Sequence, residues 1–489
     1  MFEELTVNAF HAALRTGEMT SADLVDWYLA RIEAHNTQGA ELQAVVTVNP
    51  RARDEAAAAD QHFSDTGRLT GPLHGVPVLV KDQVETAGLR TTFGSKLFEN
   101  YVPEADGTLV TRLREAGAVI LAKTSMCDFA AGWFSSSSMT DHTKNPYSPA
   151  REAGGSSSGT GAGLAANFGL VGIGEDTGGS IRIPASFNNL FGLRVTTGLV
   201  SRAGFAPLVH FQDTPGPMAR TVADLARLLD SIVGFDPRDP FTAVAWPPPG
   251  SYTEALDQEI PFDAWRIGVL ETGFGPAANP DAEPVNQVVR SAIGHLTDLG
   301  TATVPGLEIE KLGDWIADTS LYVRQSKADI SRFLAQRPKA PVTDFAGIYD
   351  SGVFHPYNDL LHGIAEGPEN PEDDPENLRL RLNQEHFRRL MLNLFATHRL
   401  DFLVYPSIQV VPPTRDELAA EKYRALTFPT NTVIGSQAGF PALTLPAGFT
   451  DSGLPVGMEL LGTPLTERKM LQFAQAWEKS TQPRKAPVL

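Results

Sequence analysis

At 489 residues, with 42% hydrophobic and 20% charged side chains, the chain is globular in composition and long enough to bury a core without disulfide or metal. A net charge of −18, with no long Lys/Arg run, argues against nucleic acid as a partner, because phosphate binding needs a basic face. One cysteine, Cys127, excludes an internal disulfide, no apolar run approaches the ~20 residues of a membrane span, and Glu3 and Glu4 stand where a signal peptide would be basic; a cytoplasmic protein with no membrane partner is expected.

Ser21 is expected to cap a helix running to about residue 35, with Leu24, Val25, Tyr28, Leu29 and Ile32 at helical spacing. Ala52–Phe63 predicts a second helix, and Gly75–Gln83 a buried strand carrying Lys81 near its end. Asp106–Gly117 predicts a helix with Leu109, Leu113 and Ala116 inward, followed by a strand at Ala118–Lys123. Strand, helix and strand in this succession make a βαβ crossover, which implies parallel pairing. A small-residue helix at Leu164–Asn167 and a core strand at Leu170–Gly174 follow.

Asp236–Pro240 and Trp246–Gly250 have linker composition. Beyond them come a strand at Arg266–Leu270, a helix through Val285, Val288, Val289, Ile293 and Leu296, and a strand at Ala302–Val304. Residues 310–400 read as mostly helical, interrupted by an acidic, Pro-rich loop at Glu366–Asn377. Asp401–Tyr405, Ala442–Leu445 and Gly457–Leu461 are further strands. One large α/β unit is favoured over two domains.

Two glycine-flanked serine clusters stand out, Gly154–Gly159 and Asp176–Arg182. A serine becomes a nucleophile only when a base takes its proton, and glycine lets backbone N–H groups crowd a reacting oxygen, so the pair points to acyl transfer. Gly155–Gly159 fits the G-x-S-x-G elbow with Ser157 central, but Asn145–Glu152 holds two prolines and no apolar run, so no strand is expected to feed that turn. Gly161–Ala166 fits the dinucleotide fingerprint and fails the same requirement. On composition alone the first cluster is a loop and the Gly-Gly pair of the second an ordinary turn.

The second cluster follows a core strand. N–H groups of Thr177, Gly178, Gly179 and Ser180 could converge there on an oxyanion, with Asp176 and Arg182 bracing the turn as a salt bridge. Lys81 has two readings: a strand end with its ammonium in water, or a desolvated amine able to act as a base. The eleven histidines are scattered, Cys/His metal spacing is absent, and Cys127 reads more simply as packing than as a nucleophile.

Taken together, these residues resemble the amidase signature family of serine hydrolases. The match is dense from Gly71 to Gly216, through Gly75–Asp82, Ala122–Thr124, Lys144–Pro146, both serine clusters and Phe191–Arg194. It continues into Thr214–Arg220, Asn431–Thr432, Gly439–Ala442 and Gly453–Gly457. The resemblance implies a single unit over residues 1–489, with a signature core at 71–220 and a more variable, mostly helical insertion at 236–400. Its fold would be α/β/α, a central mixed twisted sheet covered by helices on both faces.

By the same resemblance Lys81 would be the base, Ser156 the bridging serine behind a cis peptide bond, and Ser180 the nucleophile, with Thr177, Gly178 and Gly179 forming the oxyanion hole. No metal or cofactor is implied. Met126, Phe129, Gly132, Trp133 and Phe134 would supply an apolar pocket. The expected partner is a small-molecule amide, and family members are often homodimers. The expected reaction is hydrolysis of a non-peptide C–N bond in a small carboxamide, anilide or carbamate through an acyl-enzyme. The alternative is the glutaminase subunit of a tRNA-dependent amidotransferase, which shares the triad. Departures from the family pattern are Ser158 for glycine, Glu175 before the acid, and Leu193-Arg194-Val195-Thr196 for Leu-Lys-Pro-Thr. Ser125 and Asp128 likewise stand where Asn and Glu are frequent.

Overall fold

Eleven short segments pair into one sheet in the computed structural model, which describes residues 2–489. From one edge the order is Val45–Val48, Val119–Thr124, Pro77–Lys81, Val171–Glu175, Pro215–Ala219 and Phe191–Arg194. It continues through Ala442–Phe449, Pro455–Leu461, Phe402–Pro406, Arg266–Leu270 and Ala302–Leu307. Pro77–Lys81 is parallel to both neighbours, and so is Arg266–Leu270, while the other pairs are antiparallel. The sheet is mixed, and strands from both sides of residues 236–250 belong to it.

Every residue of Pro77–Lys81, Val119–Thr124 and Val171–Glu175 is buried, as parallel strands covered by helices on both faces require. The helix Thr108–Glu115 connects two of them, and Pro77 pairs with Val119 in parallel register. Ser158–Ala165 packs on Pro77–Lys81 and Val171–Glu175, and Arg182–Phe187 on Phe191–Arg194 and Pro455–Leu461. These two helices follow directly from the two serine clusters.

Several boundaries differ from those read in the sequence. Thr20, not Ser21, caps the helix Ser21–His35: its hydroxyl accepts from the Asp23 N–H at 3.0 Å, and the Asp23 carboxylate accepts from the Thr20 N–H at 3.0 Å. The long helix Pro375–His398 begins inside the expected loop, because Asp374 accepts from the N–H groups of Glu376 and Asn377 and Pro375 suits the first helical position. The small-residue helix runs over Ser158–Ala165 and so takes in the end of the first cluster. Ser148–Glu152 does form a strand ahead of that cluster, but it pairs with Lys144–Asn145 in a separate hairpin outside the main sheet.

Leu79 sits fully buried in the middle of the central parallel group, in register with Ala122 and Gly172. Leu79→Ala is expected to cost about 2–5 kcal/mol of stability through the cavity it leaves. A urea midpoint unchanged from that of the parent would contradict this placement.

Candidate active site

Three parallel strands end beside one another at Lys81, Thr124 and Glu175, and α/β sheets gather reactive groups at the carboxyl ends of such strands. Lys81 does not lead its ammonium out to water. Its side chain is fully buried, and Nζ donates to Ser156 Oγ at 2.8 Å and to the Glu175 carbonyl oxygen at 3.1 Å. Burial pushes the Lys81 pKa down, against the opposing pull of Glu175, Cys127, Asp176 and Asp213. A depressed amine is a usable base at neutral pH.

The Gly155–Ser156 peptide bond is cis, and the Gly155 N–H donates to the Trp133 carbonyl at 2.8 Å. The Ser157 N–H donates to the Ser180 carbonyl at 3.1 Å, which ties the two clusters together. The Ser157 hydroxyl lies 3.3 Å from both backbone polar atoms of Glu175, so it clamps a strand rather than standing exposed on an elbow. Gly161 and Gly163 lie within the helix Ser158–Ala165 rather than in a loop between strand and helix.

Asp176 organises the second turn. Its carboxylate accepts from the N–H groups of Gly179 at 2.7 Å and Ile181 at 3.1 Å, and from Arg182 Nε and Nη2 at 3.0 Å each. Arg194 Nη1 adds a contact at 3.2 Å, and Arg182 also reaches Glu459 and, at 2.8 Å, Ser436 Oγ. Burial alone would raise the Asp176 pKa, yet Arg182 and Arg194 outweigh it and hold the group at about 2. Arg194, a departure from the family pattern, is thus part of the brace.

This geometry corrects one expectation. The Gly179 N–H faces the Asp176 carboxylate and is not available to a reacting oxygen. The N–H groups of Thr177, Gly178 and Ser180 have no hydrogen-bond partner among the described residues. Both glycines are nonetheless closely packed. A β-carbon on Gly178 would lie 2.0 Å from Tyr322 Oη, and one on Gly179, at φ +142°, would lie 2.0 Å from Thr432 Oγ1. Thr432 Oγ1 donates to the Gly178 carbonyl at 2.7 Å and pins the turn from outside.

A cavity of about 520 Å³ lies beyond Trp133 and Tyr322, walled by these two and by Phe428, Thr430, Asn431 and Ile434 among others; the turn, Lys81 and Ser156 are not part of its wall. Trp133 and Tyr322 are the link, since both lie over Gly178. No charged side chain lines it. Of the five residues expected as walls only Trp133 lines it, and Met126, Phe129, Gly132 and Phe134 do not. Phe129 is drawn into an aromatic cluster, with ring centroids 5.9 Å from Phe93 and 5.3 Å from Phe98. Met126 is fully buried, the Gly132 carbonyl accepts from Cys127 Sγ, and Phe134 packs on Phe428. The sequence does not mark Tyr322, Thr432 or the acids Glu175 and Asp213 as site residues, for only the chain crossing brings them here.

Among the described residues no group of three or more His, Cys, Asp or Glu is placed to hold a metal ion, and no helix is long and apolar enough to cross a membrane. A family model described as Amidase matches residues 23–471. The chain is 33% identical over 509 residues to the A subunit of the glutamyl-tRNA(Gln) amidotransferase of Ralstonia nicotianae, across 97% of each chain. It superimposes on the native peptide amidase of Stenotrophomonas maltophilia with a TM-score of 0.87 and 34% identity, covering 100% of this chain and 99% of that one. An amidase family protein of Bacillus anthracis gives a TM-score of 0.85 at 27% identity, over 100% of this chain and 93% of its own.

Gly178→Ala is expected to slow labelling by a fluorophosphonate, a probe of activated serines, by about 10²-fold or more through the displaced turn. Because the Tyr322 hydroxyl is buried without a partner among the described residues, Tyr322→Phe should fold normally and, combined with Gly178→Ala, restore part of the labelling. No recovery in the double variant would remove Tyr322 as the source of the restriction.

Proposed function

The chain belongs to the amidase family and is an amidohydrolase; from that premise we propose that it hydrolyses a small, uncharged carboxamide, anilide or carbamate through Ser180, Ser156 and Lys81. The observation that carries this reading is the fully buried Lys81 amine donating to Ser156 at 2.8 Å beside the braced turn. Neutral Lys81 takes the Ser156 proton while Ser156 takes that of Ser180. The Ser180 oxygen attacks the carbonyl carbon, and the oxyanion is held by the N–H groups of Thr177, Gly178 and Ser180. Ser156 then protonates the departing amine, and water releases the acyl group by the same relay in reverse order.

A second reading, a glutaminase subunit, is favoured by the 33% identity to the Ralstonia nicotianae amidotransferase component. The cavity argues against it. Glutamine brings an ammonium and a carboxylate that are best met by opposite charges when buried, whereas the walls here offer amides and hydroxyls (Gln409, Asn431, Gln437, Thr430) and, among the described residues, no charged side chain. Apolar and hydroxyl-bearing sides suit an uncharged, partly aromatic group instead.

Ser180→Ala is expected to abolish both amide hydrolysis and fluorophosphonate labelling; labelling that persists would place the nucleophile elsewhere. The isolated chain should turn over neutral anilides at least 10-fold faster than glutamine. That margin is about 1.4 kcal/mol of transition-state binding. The reverse preference would support the glutaminase reading.

A further inference from the structure

Glu175 stands where the family pattern gave no reason to expect an acid, and the fold aims it at the amine. Its Oε2 lies 3.6 Å from Lys81 Nζ, both side chains fully buried, and Oε2 has no hydrogen-bond partner among the described residues. Oε1 is held on the other side, 3.3 Å from Thr177 Oγ1 and from the Thr214 backbone nitrogen. One oxygen is therefore anchored and the other is left facing the lysine.

The surroundings bear on how that carboxyl is charged. Asp213 lies next to it, sharing the Thr177 hydroxyl, and Asp176 follows it in the chain. Gln83 comes from the Lys81 segment and Cys127 from beyond the neighbouring strand. Arg194 directs its Nη groups to Asp176, Thr197 and Gln212, while its buried Nε has no hydrogen-bond partner among the described residues. With burial and Asp213 both opposing a negative charge, the Glu175 carboxyl is pushed up to about 7. An ionised carboxylate this close would hold Lys81 as an ammonium, which cannot accept the Ser156 proton. A carboxyl that carries the proton itself leaves the amine neutral.

We infer that Glu175 acts through Lys81 as a positioning residue that shares one proton with it, so that the pair, rather than the amine alone, is the base that Ser156 meets. In the step itself the Ser156 O–H breaks as an N–H forms on Lys81. When Glu175 is ionised, a Lys81 proton passes to Oε2, the nitrogen keeping its electron pair. Titration of the two groups is then coupled, and apparent values belong to the pair. This rests on the reading of Lys81 as the base.

The test is the pH dependence of the fluorophosphonate labelling rate of Ser180 in the parent, Glu175→Gln and Lys81→Ala. The parent rate should fall on the acid side in two steps. Glu175→Gln should give a single step displaced to lower pH by about 1 unit or more, because the charge that favoured the ammonium is gone. Superimposable acid limbs would overturn the inference and leave Glu175 a packing residue. Should Glu175→Gln fail to fold by circular dichroism, the parent limb decides: two steps support the shared proton and a single-proton limb overturns it. Lys81→Ala separates the two claims. Labelling close to that of the parent would sink the base reading itself, whereas a silent Lys81→Ala with coincident limbs sinks only the role of Glu175.

Discussion

The Asp176 carboxylate accepts the Gly179 and Ile181 N–H groups and both prongs of Arg182, while Arg194 closes over it from Phe191–Arg194, two strands away in the sheet. Arg182 extends the contact to Glu459 on Pro455–Leu461 and to Ser436 on Thr432–Ala438. Two acids and two arginines, all fully buried, form a quartet of zero net charge. Desolvating any one alone would be costly, and breaking a buried pair by removing one partner typically costs about 3–5 kcal/mol. The turn that carries Ser180 is therefore fixed by charge balance as well as by packing, and its anchor lies more than 250 residues further along the chain.

The quartet also decides which backbone groups remain free. Asp176 takes the Gly179 N–H to close the turn, and closing it leaves Thr177, Gly178 and Ser180 without internal partners. A preorganised donor set of this kind needs no reorganisation when charge develops on a substrate, which is what the proposed oxyanion role draws on. Lys81 follows the opposite logic. Its sibling Lys123, also fully buried at a strand end, lies 3.3 Å from Asp82 and donates to the Val84 carbonyl at 2.6 Å and Thr91 Oγ1 at 2.9 Å. Lys123 is spent on structure, whereas Lys81 keeps a serine hydroxyl as its partner.

Much of this architecture is legible from residue patterns, and the exceptions share a cause. Arg266–Leu270 matches the expected strand end to end, because an apolar run bounded by polar residues has one period and one length. The parallel pairing of Pro77–Lys81 with Val119–Thr124 follows from the intervening helix. Phe191–Arg194 and Pro215–Ala219 stand out in the sequence only as motifs, since Gly and Pro are poor strand formers and only burial between other strands overrides that. Reactive residue types are readable from local chemistry. The direction of the Gly179 N–H is not, because it depends on where Asp176 points. Nor are the cavity walls, because Tyr322 reaches Gly178 across a long stretch of intervening chain.

Most of the cavity is contributed by residues beyond 271, whereas every group assigned to bond-making and proton transfer precedes residue 181. The cavity and the groups proposed for bond-making are thus drawn from separate parts of the chain. On the proposed reading, substitutions in the later part can retune which acyl or amine group is admitted, provided they spare Thr432, Ser436 and Glu459, which hold the turn in place. Tyr322 and Trp133 lie against both the cavity and Gly178, and drift at either position would be felt in rate as well as in choice.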